Sequence, residues 1–300
     1  MLTKEFQEIL VEVMSKHSVR ILTTDQLIQF IHNLEYAVGR GCGDVVKRDG
    51  ESVVMDLLKS RYSSDEELVI FDVGACEGEY TDMVLETITR CTVHAFEPDR
   101  HNYDKITTKY TDNNVICNYK AAYKQNCVKK VYGTDKAHCL SSLNKDRDFS
   151  HVGIPTVALN DVECIKLDDY CKSNSISYVH LLKMDVEGTE LDVMLGAEGI
   201  IKSTGIVQFE FGGANIDSKV SFKDLFYYFN KRGFLLYRIL PVSKFYPVKK
   251  YTEIDENYIT ANYIATREVI PDEFIDSVDE KISAIALQEL IAFIKGLNHA

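Results

Sequence analysis

The chain has 300 residues with 34 Lys and Arg against 46 Asp and Glu, a formal net charge of -12, which argues against nucleic acid as a partner. Its 45% hydrophobic, 10% aromatic and 27% charged residues exclude global disorder and suit a folded chain of one or two domains. No run reaches the about 18 apolar residues of a membrane span, and the first residues, Met1 to Glu8, lack a basic segment followed by an apolar one, so a soluble, non-exported, cytoplasmic protein is expected.

Residues 1–67 read as a helical extension or lid. Phe6, Ile9, Leu10 and Val13 recur at helical spacing, as do Leu27, Ile28, Ile31 and Leu34 behind Thr24 as a cap. The glycines at 39, 41 and 43 interrupt this region. From Leu68 the texture changes to short apolar runs alternating with amphipathic stretches. Strands are predicted at Leu68–Val73, at 92–96, 115–119, 179–184 and 206–211, with helices at 79–90 and 102–110 between them. Such alternation predicts right-handed crossovers and a doubly wound, mostly parallel α/β sheet covered on both faces.

Residues 123–178 break the rhythm with strand-like pieces at 128–132, 156–159 and 162–167 and a polar connection, read as an insertion near the ligand-binding edge of the sheet. A helix over 221–232 stops at Gly233, and 234–240 and 258–266 read as a closing antiparallel pair. Residues 267–300 are expected to end in a helix from Pro271 to Lys295, with Asp272 and Glu273 in its first turn. The eight cysteines contain no CxxC pair and no cluster with His, which argues against zinc or redox centres and for reduced thiols used as apolar fillers.

Chemistry concentrates where strands end. Asp72-Val73-Gly74-Ala75-Cys76-Glu77-Gly78 runs from a strand into a glycine-containing turn and a helix, a backbone that can approach a ligand and offer N–H groups to an anion. Cys76 occupies the position of the middle glycine of a dinucleotide loop, which weakens a nicotinamide or flavin reading. Glu97, followed by Pro98, ends the next strand 25 residues after Asp72, where an acid can accept both hydrogen bonds of a ribose diol. Asp185 and Glu187 leave the carboxyl end of a third strand, and Glu210 stands in an otherwise apolar run. Glu190 reads as a first-turn acid that complements a helix dipole, and Leu191, Met194 and Leu195 read as the packing stripe of that helix.

Together these segments resemble a class I methyltransferase, and specifically the FkbM family. The loop 72–78 resembles that family's D-V-G-A-N-x-G, with Thr81 at its usual Ser/Thr. Phe96-Glu97-Pro98 resembles F-E-P, Ser141-Ser142-Leu143 resembles S-S-L, and Leu167-Asp168-Asp169-Tyr170 resembles L-D-D-Y. Lys183 to Glu190 resembles K-I-D-V-E-G-H-E, and Phe209-Glu210 the closing F-E. The likeness covers roughly 68–266. It departs at Cys76, where the family has Asn, and at Thr189, where it commonly has His.

The resemblance implies a class I sheet and S-adenosylmethionine as methyl donor. The donor would lie against Asp72, Gly74, Ala75, Cys76, Gly78 and Tyr80 of the turn and helix, with Glu97 and Pro98 at its ribose and Ala121 and Ala122 beside its adenine. Ser142 and Asp185 would hold the amino-acid end or the acceptor edge. Asp185, Glu187 and Glu210 are the candidate catalytic carboxylates, as proton acceptor or as holders of a divalent cation. The implied reaction is O-methylation of a sugar or glycoconjugate hydroxyl, with a polyketide or lipid hydroxyl as the alternative acceptor. The aromatic residues Tyr237, Phe245, Tyr246 and Tyr251 lean towards sugar. A non-catalytic protein with this fold, and a homodimer formed through the terminal helices, are the further alternatives.

Overall fold

The computed structural model describes residues 24–41, 49–112, 114–134, 138–150 and 154–276. Ala37–Ile275 forms one unit, and the described residues 24–36 belong to a second. The first described helix, Thr24–Ala37 (α1), begins at Thr24. The helix expected around Phe6 and Val13 lies outside the described residues.

The 37–275 unit contains a helix that the sequence did not single out, Ser52–Arg61 (α2). It is followed by Leu68–Val73 (β1), Glu79–Thr87 (α3), Cys91–Phe96 (β2), Arg100–Lys109 (α4), Val115–Asn118 (β3) and Ala121–Ala122 (β4). Next come Cys127–Gly133 (β5), Val157–Ile165 (β6), Leu167–Ser173 (α5), Val179–Met184 (β7) and Glu190–Leu195 (α6). Thr204–Phe211 (β8), Ala214–Ser218 (α7), Phe222–Asn230 (α8), Leu235–Leu240 (β9), Lys244–Val248 (β10) and Ala261–Thr266 (β11) complete the order.

Eight strands form one sheet in the order β10-β9-β11-β8-β7-β1-β2-β3. The strands β3, β2, β1, β7 and β8 run parallel. β11 lies antiparallel between β8 and β9. This is the doubly wound, mostly parallel sheet expected from the sequence, with an antiparallel strand inserted late in the chain. The expected closing pair is β9 and β11; β10, which the sequence reading did not single out, adds an edge strand.

Alternation along the strands explains why both faces are covered. Ile70, Leu181 and Ile206 point into one core with Val54, Leu57 and Leu58 of α2 and Met83 and Val84 of α3. Their neighbours Phe71, Leu182 and Val207 point into the other, against Leu167 of α5, Met194 of α6 and Phe229 of α8. Two of the helix starts are set locally. The Asp99 carboxylate accepts the backbone N–H groups of His101 and Asn102 at 2.8 and 3.1 Å, and Ser221 with Asp224 forms a capping box ahead of α8. Gly233 follows that helix at φ +78, the stop read from the sequence.

The irregular stretch after β3 is a second, three-stranded sheet, β4-β6-β5, with its own small core of Val131, Leu143, Val162 and Cys164. Its two expected pieces at 156–159 and 162–167 belong to one strand, β6, whose pairing with β5 shifts at Leu159: Val131 pairs with Asn160 and Tyr132 with Ala158. Part of the polar connection is helical, as α5.

Four further expectations are corrected or extended. Pro271 precedes a single 3-10 turn, Asp272–Phe274, and Ile275 then bridges Phe245; the remainder of the expected helix lies outside the described residues. Leu195 is 39% exposed while Val193 is fully buried, so Val193 and Met194 carry the packing of α6. Glu190 stands in the first turn of its helix as expected, but its buried carboxylate serves the turn before it, with Oε1 accepting the Val186 and Gly188 N–H groups at 3.2 Å each. Finally, Cys76 and Cys139 form a disulfide, so the thiols are not all reduced fillers; Cys91, Cys164 and Cys171 are buried and free as expected.

Candidate active site

The parallel strands reverse their winding order between β1 and β7, and the crevice beyond their carboxyl ends is where open α/β sheets bind ligands. Two cavities open there. The first, about 440 Å³ including its mouth, is a groove lined by Gly74, Cys76, Glu97, Pro98, Ala121, Ala122, Ser142 and Asp185 among others. The second, about 1250 Å³ including its mouth, is lined by Ala75, Tyr80, Arg147, Lys183, Glu187 and Glu210. Gly74, Cys76, Cys139 and Asp185 belong to both, so the two cavities share a wall.

Eight of the residues expected at the donor thus line one groove. Ala75 and Tyr80 face the second cavity instead, and Asp72 and Gly78 line neither. The Asp72 carboxylate is fully buried behind the turn and accepts the Thr81 hydroxyl at 2.7 Å. Gly78 packs against Tyr110, whose hydroxyl donates to the Gly78 carbonyl at 2.7 Å. The three candidate carboxylates Asp185, Glu187 and Glu210 do come together in the second cavity. The aromatic group of Tyr237, Phe245, Tyr246 and Tyr251 does not line it: Tyr237 and Phe245 are buried in the sheet core, and Tyr251 stands against Phe226 and Tyr227.

The turn between the cavities is built from unusual backbone. Gly74 has φ +84, and a Cβ there would lie 1.8 Å from the Asp185 carbonyl oxygen, so only glycine lets β1 and β7 approach this closely. Cys76 and Glu187 adopt φ +48 and +53 without being glycine, backbone strain that the surroundings must hold. The Cys76 N–H donates to Glu97 Oε2 at 2.7 Å, and Glu190 clamps the turn at 185–188 from beneath.

Glu97 is 2% exposed, and its other oxygen accepts the Asp99 N–H at 2.8 Å. Burial pushes its carboxyl up to about 8 against these two N–H groups, which pull it down. Its position fits a diol-binding acid, because each oxygen keeps a lone pair beyond its single backbone donor. Lys183, the one charged residue of β7, sits 3.5 Å from Asp72 and 3.4 Å from Asp185. Burial pulls this ammonium down, but Asp185, Asp72 and Glu51 hold it above the ordinary lysine value. Arg147 bridges Glu187 at 3.1 Å and Asp217 at 3.0 Å. Burial, then Asp185, raises the Glu187 carboxyl to about 7 while Arg147 opposes them. Burial and the surrounding acids also raise Glu210.

Lys183, Arg147 and Cys139 are functional candidates that the sequence reading did not assign. Lys183 carried a signal, a lysine in the otherwise apolar run Val179–Met184. Arg147 carried none, and Cys139 only its closeness to Ser141 and Ser142. Among the described residues no group of three or more His, Cys, Asp or Glu is arranged to hold a metal ion; the divalent-cation role therefore has no donor set there.

A stability prediction follows from Glu51, which is 5% exposed with one carboxylate oxygen buried and unpartnered. Burial raises it to about 8, with Lys183 opposing and Asp185, Asp49 and Asp72 adding to the rise. The folded chain then holds a proton that the unfolded chain has lost above its ordinary value of about 4.5. This contribution is full below about pH 4.5 and is lost as pH rises towards 8. Glu97, Glu187 and Glu190 act in the same direction. The melting temperature should fall between pH 5.5 and 8, and Glu51→Gln should flatten that slope. A calorimetric scan series showing equal slopes for both proteins would remove Glu51 from this account.

The Methyltransferase FkbM domain matches residues 72–236, more than half of the chain, and the chain belongs to this family. A crystal structure of methyltransferase FkbM from Methylobacillus flagellatus KT is 17% identical with a TM-score of 0.41, covering 68% of this chain and 44% of that one. The chain therefore spans less than half the length of that protein. A SAM-dependent methyltransferase from Anabaena variabilis ATCC 29413 is 10% identical with a TM-score of 0.37, covering 74% of this chain and 83% of that one. No curated protein matches. No helix among the described residues is long and apolar enough to cross a membrane.

Proposed function

We propose that the protein transfers a methyl group from S-adenosylmethionine to a hydroxyl of a sugar or glycoconjugate, acting in the cytoplasm. The observation that carries this reading is the shared wall: a groove ending on a buried strand-tip acid meets, across Gly74 and Asp185, a cavity holding three carboxylates. Bound in the groove, the donor supplies an electrophilic methyl group. Glu97 and Pro98 would receive its ribose, Ala121 and Ala122 its base, and the Gly74 turn its amino-acid end.

The acceptor belongs in the second cavity. Its walls are mostly polar or charged, with Glu77, Glu79, Arg147, Lys183 and Thr260 beside the three carboxylates. That favours a many-hydroxyl acceptor over a lipid, which would need continuous apolar walls. Glu187 is the residue we assign as proton acceptor. A carboxyl raised to about 7 is matched to taking a hydroxyl proton near neutrality, whereas an ordinary exposed carboxylate is a weaker base. Arg147 keeps part of the Glu187 population ionised and fixes its direction, and Asp185, 39% exposed at the shared wall, is placed to hold the acceptor hydroxyl.

Calorimetry with S-adenosylhomocysteine tests the donor half, and Glu97→Gln should weaken binding roughly tenfold, as expected for losing one hydrogen bond worth about 1 kcal/mol. Labelled donor with a panel of activated sugars, glycolipids and hydroxylated metabolites tests the acceptor half. No binding of the nucleoside by the wild-type protein would leave a non-catalytic member of the fold.

A further inference from the structure

The disulfide between Cys76 and Cys139 joins residues 63 apart in sequence, with Cα atoms 5.1 Å apart. Its place matters more than its existence. Both cysteines lie in the wall shared by the groove and the carboxylate cavity, which on the donor reading above is where a methyl group must cross. Cys76 stands at the tip of the glycine turn, with its N–H on Glu97. Cys139 lies in the 3-10 turn His138–Leu140, whose His138 Nδ1 is 3.1 Å from Asp99. Just beyond it, the Ser142 hydroxyl donates to the Glu187 carbonyl at 2.8 Å. The bridge therefore ties the segment carrying Ser141 and Ser142 to the turn on the opposite side of the groove.

Among the described cysteines Cys139 is the exposed one, and Cys117 and Cys127 are half-buried like Cys76, whereas Cys91, Cys164 and Cys171 are buried. Burial pushes those three thiols up, Cys91 to about 11 and Cys164 and Cys171 to about 12, which leaves them unreactive near neutrality.

We propose that Cys76 and Cys139 form a thiol–disulfide exchange site for small-molecule thiols and disulfides, whose bridged form narrows the donor groove and closes the passage between the cavities while its dithiol form opens both. In the reducing direction, a small thiolate attacks the exposed Cys139 sulfur, the S–S bond breaks, and Cys76 leaves as a thiolate that takes a proton from water. A second small thiolate attacks the small-molecule sulfur of the mixed disulfide and releases Cys139. In sum, two small thiols become one small disulfide, and the protein gains two electrons and two protons. A small-molecule disulfide drives the reverse.

The test treats the full-length protein with excess oxidised glutathione or with dithiothreitol, removes the reagent, and weighs the protein after alkylation in denaturant. Six of the eight cysteines should be alkylated after oxidation and all of them after reduction. In calorimetry, the oxidised form should bind S-adenosylhomocysteine at least about tenfold more weakly, as when the competent state falls below a tenth of the population. Cys139→Ser should bind like the reduced form after either treatment. Alkylation of all eight after oxidation, or equal affinity of the two wild-type forms, overturns the gate. Failure of every form to bind, with alkylation still giving six and eight, instead overturns the donor reading on which the gate rests.

Discussion

Gly74→Ala is expected to abolish S-adenosylhomocysteine binding and to lower the melting temperature by roughly 4–20 °C, for a loss of about 2–5 kcal/mol. Two effects add. Alanine resists the φ of +84, and its Cβ would lie 1.8 Å from the Asp185 carbonyl oxygen, an atom of the neighbouring strand's backbone that cannot swing aside. Gly233→Ala separates the two. There φ is +78 but nothing lies within 4 Å of the added Cβ, so only the backbone cost of about 1–2 kcal/mol applies. Equal destabilisation by the two substitutions would show that the close approach of β1 and β7 is not what the glycine provides.

Glu187→Gln should reduce methyl transfer by about 10²–10⁴-fold, the range for loss of a general base, with donor affinity nearly unchanged because Glu187 lines the second cavity and not the groove. The pH profile makes the assignment specific. Wild-type kcat/KM should rise as pH passes through about 7, where the raised Glu187 carboxyl ionises, and the residual activity of the variant should lack that limb. Asp185→Asn, at the shared wall, should also lower turnover, and it should move the limb to lower pH, because the Asp185 charge helps to raise the Glu187 carboxyl. If the glutamine variant kept both its rate and its limb, the base would have to be sought at Glu210.

The sequence made the main sheet legible because each parallel strand is a short apolar run covered on both faces, and the residues that leave its carboxyl ends declare themselves by charge. Asp185 and Glu97 were found in this way. What stayed hidden is set by tertiary contact. Asp72 and Gly78 belong to a ligand-binding type of loop, yet they face Thr81 and Tyr110 behind it, and a motif cannot show which side of a turn a residue faces. Glu190 stands in the first turn of its helix as read, but its hold on the Val186 and Gly188 N–H groups exists only once that turn has folded back. The Cys76–Cys139 pairing joins two segments with no shared periodicity. Arg147 acquires its role only when Glu187 and Asp217 converge on it.

The division between two sheets has a consequence for how the candidate site can vary. The residues that would grip the methyl donor stand mainly on the large sheet, whereas Cys139, Ser142 and Arg147 hang between β5 and β6 of the small one. That hairpin has its own miniature core, so its connecting span can lengthen or mutate while the scaffold beneath keeps its register. On the proposed function, a span grafted from a relative would alter the acceptor cavity through Arg147 and the donor groove through Cys139 and Ser142 together.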